Sequence, residues 1–154
     1  MNDAAQQSAT QDIVVDEVFP HRPEAIWRVL TNGELMARWL MKPTGFEAVE
    51  GKRFTFQTTP GGSWDGVIHC QVLQVIDNER LAYAWKGGHE ANVGYGAKLD
   101  TVVTWTLSKA ENGTRVRLVH SGFVVPKNDS ALKTMGEGWK TVVKRLGPLA
   151  DEQN

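Results

Sequence analysis

The chain has 154 residues, a formal net charge of −1, 41% hydrophobic residues and 23% charged residues. These values predict one globular domain with one core. Lysine and arginine are scattered, so nucleic acid is not expected as a partner. Cys70 is the single cysteine, which excludes an intramolecular disulfide and fits a reducing cytoplasm. Residues 1–10 are polar and small, and we expect a disordered tail there, with no secretory signal and no membrane insertion.

A first strand and two short helices are predicted next. The β-branched segment 12–19 forms the strand and ends before Pro20. Pro23 suits the first helical position, and the first helix has an apolar stripe of Ile26, Trp27 and Leu30. Asn32 is a suitable N-cap for a second helix, whose apolar residues are Leu35, Met36, Trp39 and Leu40.

The middle of the chain predicts an antiparallel meander joined by turns rich in glycine, proline and asparagine. The predicted strands are 52–59, 63–76, 80–86, 99–108 and 114–121. Apolar residues alternate with largely polar ones, so each strand has one buried face. The predicted inward residues are Phe54, Phe56, Cys70, Val72, Leu81, Tyr83, Trp85, Val103, Trp105, Leu107, Val116, Leu118 and His120.

A long C-terminal helix is predicted to cover that face. It starts near Asn128 or Asp129 and runs for roughly 18 residues to Gly147 and Pro148. Its apolar side comprises Leu132, Met135, Trp139, Val142, Val143 and Leu146. Gly136 and Gly138 indicate either a need for space beside Met135 and Trp139 or a loose start of the helix. Residues 150–154 are expected to form a C-terminal tail.

Four segments in this order resemble a known family: Pro23–Leu30, Leu35–Trp39, Leu118–Phe123, and Gly138-Trp139 with Leu146. Together they resemble the START-like (SRPBCC) helix-grip superfamily, and within it the bacterial subfamily related to the activator of the heat-shock-protein-90 ATPase. The resemblance implies a single α+β START-like domain over 11–149. It also implies a strongly curved antiparallel sheet of six to seven strands wrapped round the C-terminal helix, with a hydrophobic cavity between them and two short helices near its mouth or end.

Candidate ligand-binding residues follow from the predicted inward face and the covering helix. They are Trp39, Phe54, Phe56, Tyr83, Trp85, Val103, Trp105, Leu118, His120, Phe123, Met135 and Trp139. Apolar and aromatic side chains with a few polar groups are typical of ligand sites, and equally of a core. His120 either orients a ligand or is a core histidine bonded to a backbone carbonyl or to the C-terminal helix.

Other chemistry is poorly supported. Ser121 points to the opposite face from His120, so the two cannot form a nucleophilic dyad. The four histidines are far apart in sequence and one cysteine cannot build a thiolate site, so no metal is predicted. Gly94-Tyr-Gly96 lacks the context of a dinucleotide fingerprint, and we predict no cofactor. The glycine-rich connection 87–98 is either a mobile lid or an ordinary flexible loop.

Three functions are compatible with this pattern. The first is a binding module for a small hydrophobic, aromatic or lipid-like ligand, acting as a monomer or weak homodimer without catalytic residues. The second is a cyclase-, aromatase- or hydrolase-like enzyme in which His120 and Tyr83 transfer protons. The third, implied by the resemblance alone, is a stress-response co-chaperone that stimulates a heat-shock ATPase.

Overall fold

The computed structural model of the protein describes residues 9–153, so the predicted disordered tail lies almost wholly outside the described residues. The first strand already begins at Thr10. In chain order the elements are β1 Thr10–Phe19, α1 Pro23–Thr31, α2 Gly33–Trp39, β2 Arg53–Gln57, β3 Val67–Ile76, β4 Arg80–Gly87, β5 Leu99–Ala110, β6 Gly113–Val124, α3 Asp129–Lys144 and α4 Leu146–Asp151.

The six strands form one antiparallel sheet in the order β1-β6-β5-β4-β3-β2. The meander β2 to β6 pairs neighbour with neighbour, and β1 joins β6 at the far side. The register shifts between Gln11 and Ile13 in β1 and between Val72 and Gln74 in β3. Such bulges bend and twist a strand, which helps an open sheet to curve. The α+β helix-grip fold predicted from the sequence is confirmed.

The two short helices begin for the predicted reasons. Pro23 occupies the first turn of α1, where its missing N–H has no intrahelical partner. Asn32 caps α2, and its Oδ1 accepts from the backbone N–H groups of Glu34 at 2.9 Å and Leu35 at 3.1 Å. The helices bury Ile26, Leu30, Met36 and Trp39 against the sheet.

Several predicted boundaries are wrong. β3 begins at Val67 and not at residue 63, because the preceding residues fold back as a turn in which Gly61 and Trp64 pair through their backbones. The C-terminal helix stops at Lys144, and Pro148 lies inside a further helix, α4. Proline is tolerated there because it falls in the first turn of α4, where backbone N–H groups lack intrahelical partners. α4 continues through Asp151 and buries Ala150, so the helix extends into the segment expected to be a tail.

The core lies between the inner face of the sheet and α1, α2, α3 and α4. Its centre is aromatic: the ring centroids of Trp105 lie 5.4 Å from those of Trp39 and 5.9 Å from those of Trp139. Both pairs are edge-on, the arrangement that the quadrupoles of aromatic rings favour. Trp139 therefore connects α3 to the middle of the sheet.

Candidate functional site

A chain of hydrogen bonds runs through the buried interface between α3 and the sheet. The indole Nε1–H of Trp139 donates to Nδ1 of His120 at 3.0 Å. The other ring nitrogen of His120, Nε2, lies 2.7 Å from the hydroxyl oxygen of Thr101. That hydroxyl in turn donates to the backbone carbonyl oxygen of Trp85 at 2.8 Å. The chain thus links α3, β6, β5 and β4 in sequence.

The partners fix the protonation state of His120. Because Nδ1 accepts from an indole N–H, the ring proton resides on Nε2, which donates to the Thr101 hydroxyl. Burial lowers the pKa of His120 to about 3, since the apolar surroundings disfavour an imidazolium. At neutral pH His120 is therefore an uncharged ring with both nitrogens occupied, and it acts as a structural connector between helix and sheet.

Tyr83 belongs to a separate buried pair. Its hydroxyl oxygen accepts from the indole Nε1–H of Trp105 at 3.1 Å, and burial raises its pKa well above the usual range. Tyr83 and His120 pair with Val103 from opposite sides of β5, which places their Cα atoms about 10 Å apart. These two groups thus have different hydrogen-bond partners.

Neither Cys70 nor Ser121 has surroundings that would activate it as a nucleophile. Burial raises the pKa of the Cys70 thiol to about 12, so the thiolate needed for nucleophilic attack is scarce at neutral pH. The Ser121 hydroxyl lies 3.4 Å from the carbonyl oxygen of Val102, on the face opposite to His120. Within residues 9–153, no group of three or more His, Cys, Asp or Glu side chains has an arrangement that could hold a metal ion.

An apolar pocket of about 240 Å³ opens at one end of this interface. It is bounded by the segment after α2, the β2–β3 turn, the β4–β5 loop and the start of α3. The pocket, called the rim pocket below, is lined by Met41, Thr58, Trp64, Ile68, Trp85, Gly87, Gly88, Gly94, Tyr95, Gly96, Ala97, Leu99, Ser130, Ala131, Thr134 and Met135. None of these described residues carries a charge.

The predicted ligand-binding residues divide between the rim pocket and the core. Trp85 and Met135 line the pocket. The remaining ten are buried in the core, where they contact one another: Trp39, Phe54, Phe56, Tyr83, Val103, Trp105, Leu118, His120, Phe123 and Trp139. His120 and Trp139 lie directly behind the pocket, because their rings contact Trp85, with centroids 5.4 and 5.9 Å from its own.

The aromatic wall of the rim pocket comes from two loops. The Trp64 ring contacts Tyr95, with centroids 5.8 Å apart, and its Nε1–H donates to the carbonyl oxygen of Val67 at 3.1 Å. Trp64 fits because Gly87 and Gly96 have no side chains: a Cβ on either would lie 3.2 or 3.3 Å from its ring. Tyr95 in turn donates its hydroxyl to the carbonyl oxygen of Thr59.

The β4–β5 loop, residues 88–98, is folded onto the β2–β3 turn. The Asn92 side chain makes two hydrogen bonds to that turn, donating to the carbonyl oxygen of Gly61 at 2.8 Å and accepting from the N–H of Ser63 at 2.9 Å. His89 and Ala97 form a backbone bridge across the loop. These contacts hold the loop closely against the turn. Val93, at the tip of the loop, is 97% exposed.

Several residues of the site were not predicted from the sequence. Thr101 has the same inward parity as Val103 and Trp105, and a hydroxyl at an inward position was a usable sign of a partner for His120. Tyr95 and Met41 lie in connections, where no periodicity reports the direction of a side chain. Trp64 lies in the segment that was expected to begin the strand and instead folds as a turn. The glycine-rich connection 87–98 was expected to be a mobile lid or a flexible loop, and close packing was not predicted there.

Comparison with known proteins identifies the family to which the chain is similar. Residues 20–151 match the sequence profile of the family described as "Activator of Hsp90 ATPase homolog 1-like protein". No functionally curated protein matches the sequence.

Solved structures have the same architecture. The crystal structure of protein MLL2253 from Mesorhizobium loti is 34% identical over 94% of this chain and 99% of that chain, with a TM-score of 0.79. The solution structure of protein BH1534 from Bacillus halodurans is 26% identical over 91% and 96%, with a TM-score of 0.70. CalU16 from Micromonospora echinospora, at 22% identity over 92% and 76% and a TM-score of 0.69, is similar in fold.

Proposed function

Because the chain belongs to the family of proteins like the activator of Hsp90 ATPase homolog 1, and an apolar pocket of about 240 Å³ opens between its sheet and helix α3, we propose that it binds a small hydrophobic molecule in the rim pocket. The observation that carries the proposal is the lining: apolar and aromatic side chains, a few hydroxyls, and no charged group among the described residues. Ligand sites commonly combine an apolar surface with a few polar groups.

Binding, and not catalysis, is the activity that the described side chains support. A general acid or base must reach the proton that it transfers. His120 has both nitrogens bonded inside the core, and the hydroxyl of Tyr83, on the other side of β5, accepts from Trp105. The enzyme alternative built on these two residues therefore has no supporting geometry.

The co-chaperone alternative rests on the family description alone, and shared fold is weak support for shared function. It predicts that the purified protein stimulates the ATPase of a heat-shock chaperone. A steady-state ATPase assay with purified components tests it, and an unchanged rate over a wide range of protein concentration would contradict it. The cytoplasmic location expected from the sequence also stays a prediction. No helix within residues 9–153 has the length and hydropathy required to cross a membrane.

Thermal-shift and calorimetric titration with a panel of hydrophobic compounds test ligand binding. At a ligand concentration one hundred times the Kd, the folded state gains about 2.7 kcal/mol, which raises the Tm measurably. The blocking variant is Thr134→Trp, because Thr134 is exposed and lines the pocket, so a large ring there fills space without disturbing the core. The matched control is Lys133→Trp, an exposed neighbour outside the lining.

We expect binding to the wild type and to Lys133→Trp, and its loss in Thr134→Trp. Failure of the whole panel to bind the wild type would contradict the proposed function. Equal binding to all three proteins would place the ligand elsewhere on the molecule.

A further inference from the structure

We propose that the occupant of the rim pocket is an uncharged, planar aromatic molecule of about two fused rings, an inference that rests on the proposed function and specifies its ligand class. The pocket surface carries three aromatic rings, those of Trp64, Trp85 and Tyr95, and two thioethers, those of Met41 and Met135. Aromatic rings attract one another edge-to-face or offset, and thioether sulfur contacts ring edges favourably. This lining is therefore complementary to an aromatic ligand more than to an alkyl chain.

The charge of the ligand follows from the absence of a counter-charge. No Asp, Glu, Lys, Arg or His side chain is among the described residues of the lining. A carboxylate or ammonium placed there would lose its hydration without gaining an ion pair, and burying an unpaired charge is strongly unfavourable. The hydroxyls of Thr58, Ser130 and Thr134 can bond to one neutral polar group, such as a phenolic hydroxyl or a carbonyl.

The size of the ligand follows from the volume. A cavity of about 150 Å³ accommodates benzene, whereas sites for drug-sized molecules begin near 300 Å³. The rim pocket, at about 240 Å³, lies between these limits. Two fused rings with a small substituent fill such a space, while three or four fused rings exceed it.

The shape of the ligand follows from the way in which the wall is held. Trp64 is fixed by its hydrogen bond to Val67 and by close contact with the strand and loop glycines. The Tyr95 ring is fixed at its hydroxyl, and a Cβ on Gly61 would lie only 2.8 Å from it. Rings that are held before the ligand arrives lose little freedom on binding. A preformed aromatic wall of this kind favours a rigid planar partner.

A matched ligand series tests the inference by isothermal titration calorimetry on the wild-type protein. The neutral bicyclic ligand is 2-naphthol, the anion is 2-naphthoate, and the cation is (2-naphthyl)trimethylammonium. Pyrene tests size, and 1-decanol tests aromaticity with a similar number of heavy atoms. We expect 2-naphthol to bind at least about tenfold more tightly than each of the others, a difference of about 1.4 kcal/mol.

The outcomes separate this inference from the proposed function. If none of the five compounds and none of the wider hydrophobic panel binds, the proposed function fails. If decanol, pyrene or a charged naphthyl compound binds as tightly as 2-naphthol, the ligand class is wrong while the binding function stands.

A wall variant supplies a readout that a merely structural effect would not move. Trp64→Leu keeps the wall apolar and removes its largest ring. We expect the Kd for 2-naphthol to rise by up to about tenfold, as loss of an aromatic contact implies, while the Kd for decanol changes by less than about twofold. Weak decanol binding persists only if the pocket is intact, so it controls for folding. Equal weakening of both ligands, or of neither, would overturn the aromatic assignment.

Discussion

The indole nitrogen of Trp139 donates a hydrogen bond of 3.0 Å to Nδ1 of His120, so helix α3 and strand β6 are joined by a polar contact inside an aromatic core. Both residues are almost completely buried, at 3% and 0% exposure. In such surroundings a satisfied hydrogen bond strengthens, and an unsatisfied group becomes costly. The grip of the sheet on its helix therefore depends on one specific pair as well as on apolar burial.

Replacement of Trp139 by phenylalanine should remove the donor and leave Nδ1 of His120 without a partner. We expect Trp139→Phe to lower the free energy of unfolding by about 1–3 kcal/mol for the unpaired nitrogen, in addition to the loss of ring volume. Urea denaturation measures this. The control is Trp85→Phe, because Trp85 loses the same ring atoms beside His120 while the hydrogen bond from Trp139 stays. Equal losses in both variants would show that the hydrogen bond contributes nothing.

The Thr101 hydroxyl should matter as much, because it connects His120 to the backbone of β4. Thr101→Val keeps the shape and removes two hydrogen bonds, for an expected loss of about 1–3 kcal/mol in the same measurement. Thr104→Val, a half-buried position on the other face of β5, should change stability by no more than about 0.5 kcal/mol. Thr101→Val and Trp139→Phe should be non-additive, since both act on one imidazole ring. Strict additivity would contradict a connected network.

The predictable part of the molecule is the part with a period. Alternation along β4, β5 and β6 was sufficient to place Tyr83, Trp105 and His120 inside, because a strand turns successive side chains to opposite faces. The same rule separated His120 from Ser121. A buried imidazole also needs hydrogen-bond partners, and the C-terminal helix was one expected source of them. Trp139 on that helix is one of the two partners found.

The rim pocket could not be predicted in the same way. Its wall residues Trp64 and Tyr95 stand in connections whose backbone follows no repeating geometry. Their positions depend on contacts between residues about 30 apart in sequence, such as Asn92 with Gly61. The end of the C-terminal helix at Gly147 and Pro148 was wrongly predicted for a related reason. The pair is typical of a helix end, and only the packing of α4 shows that a second helix starts there.

The two glycines of α3 allow a direct test of whether that helix is firmly formed. A Cβ built on Gly136 or on Gly138 meets no atom within 4 Å, so neither glycine is required by a neighbour. Gly136→Ala and Gly138→Ala should each raise the free energy of unfolding by up to about 1 kcal/mol, because alanine is the better helix former. Thermal denaturation measures the effect. Unchanged stability in both variants would instead indicate a loose start of the helix, one of the two interpretations that the sequence left open.

The pH dependence of stability should report the buried neutral state of His120. Its pKa is about 3 in the folded protein and about 6.5 when the chain is unfolded, so between these values the unfolded state binds the extra proton. Stability is therefore lost as the pH falls from 6.5 towards 3, and this group alone should cost about 2 kcal/mol between pH 7 and pH 5. Urea denaturation at both pH values should show that loss in the wild type and in His69→Gln, which replaces an exposed histidine of β3. His120→Gln should be less stable at pH 7 but lose about 2 kcal/mol less on acidification. An identical acid-induced loss in His120→Gln and the wild type would mean that other groups cause it.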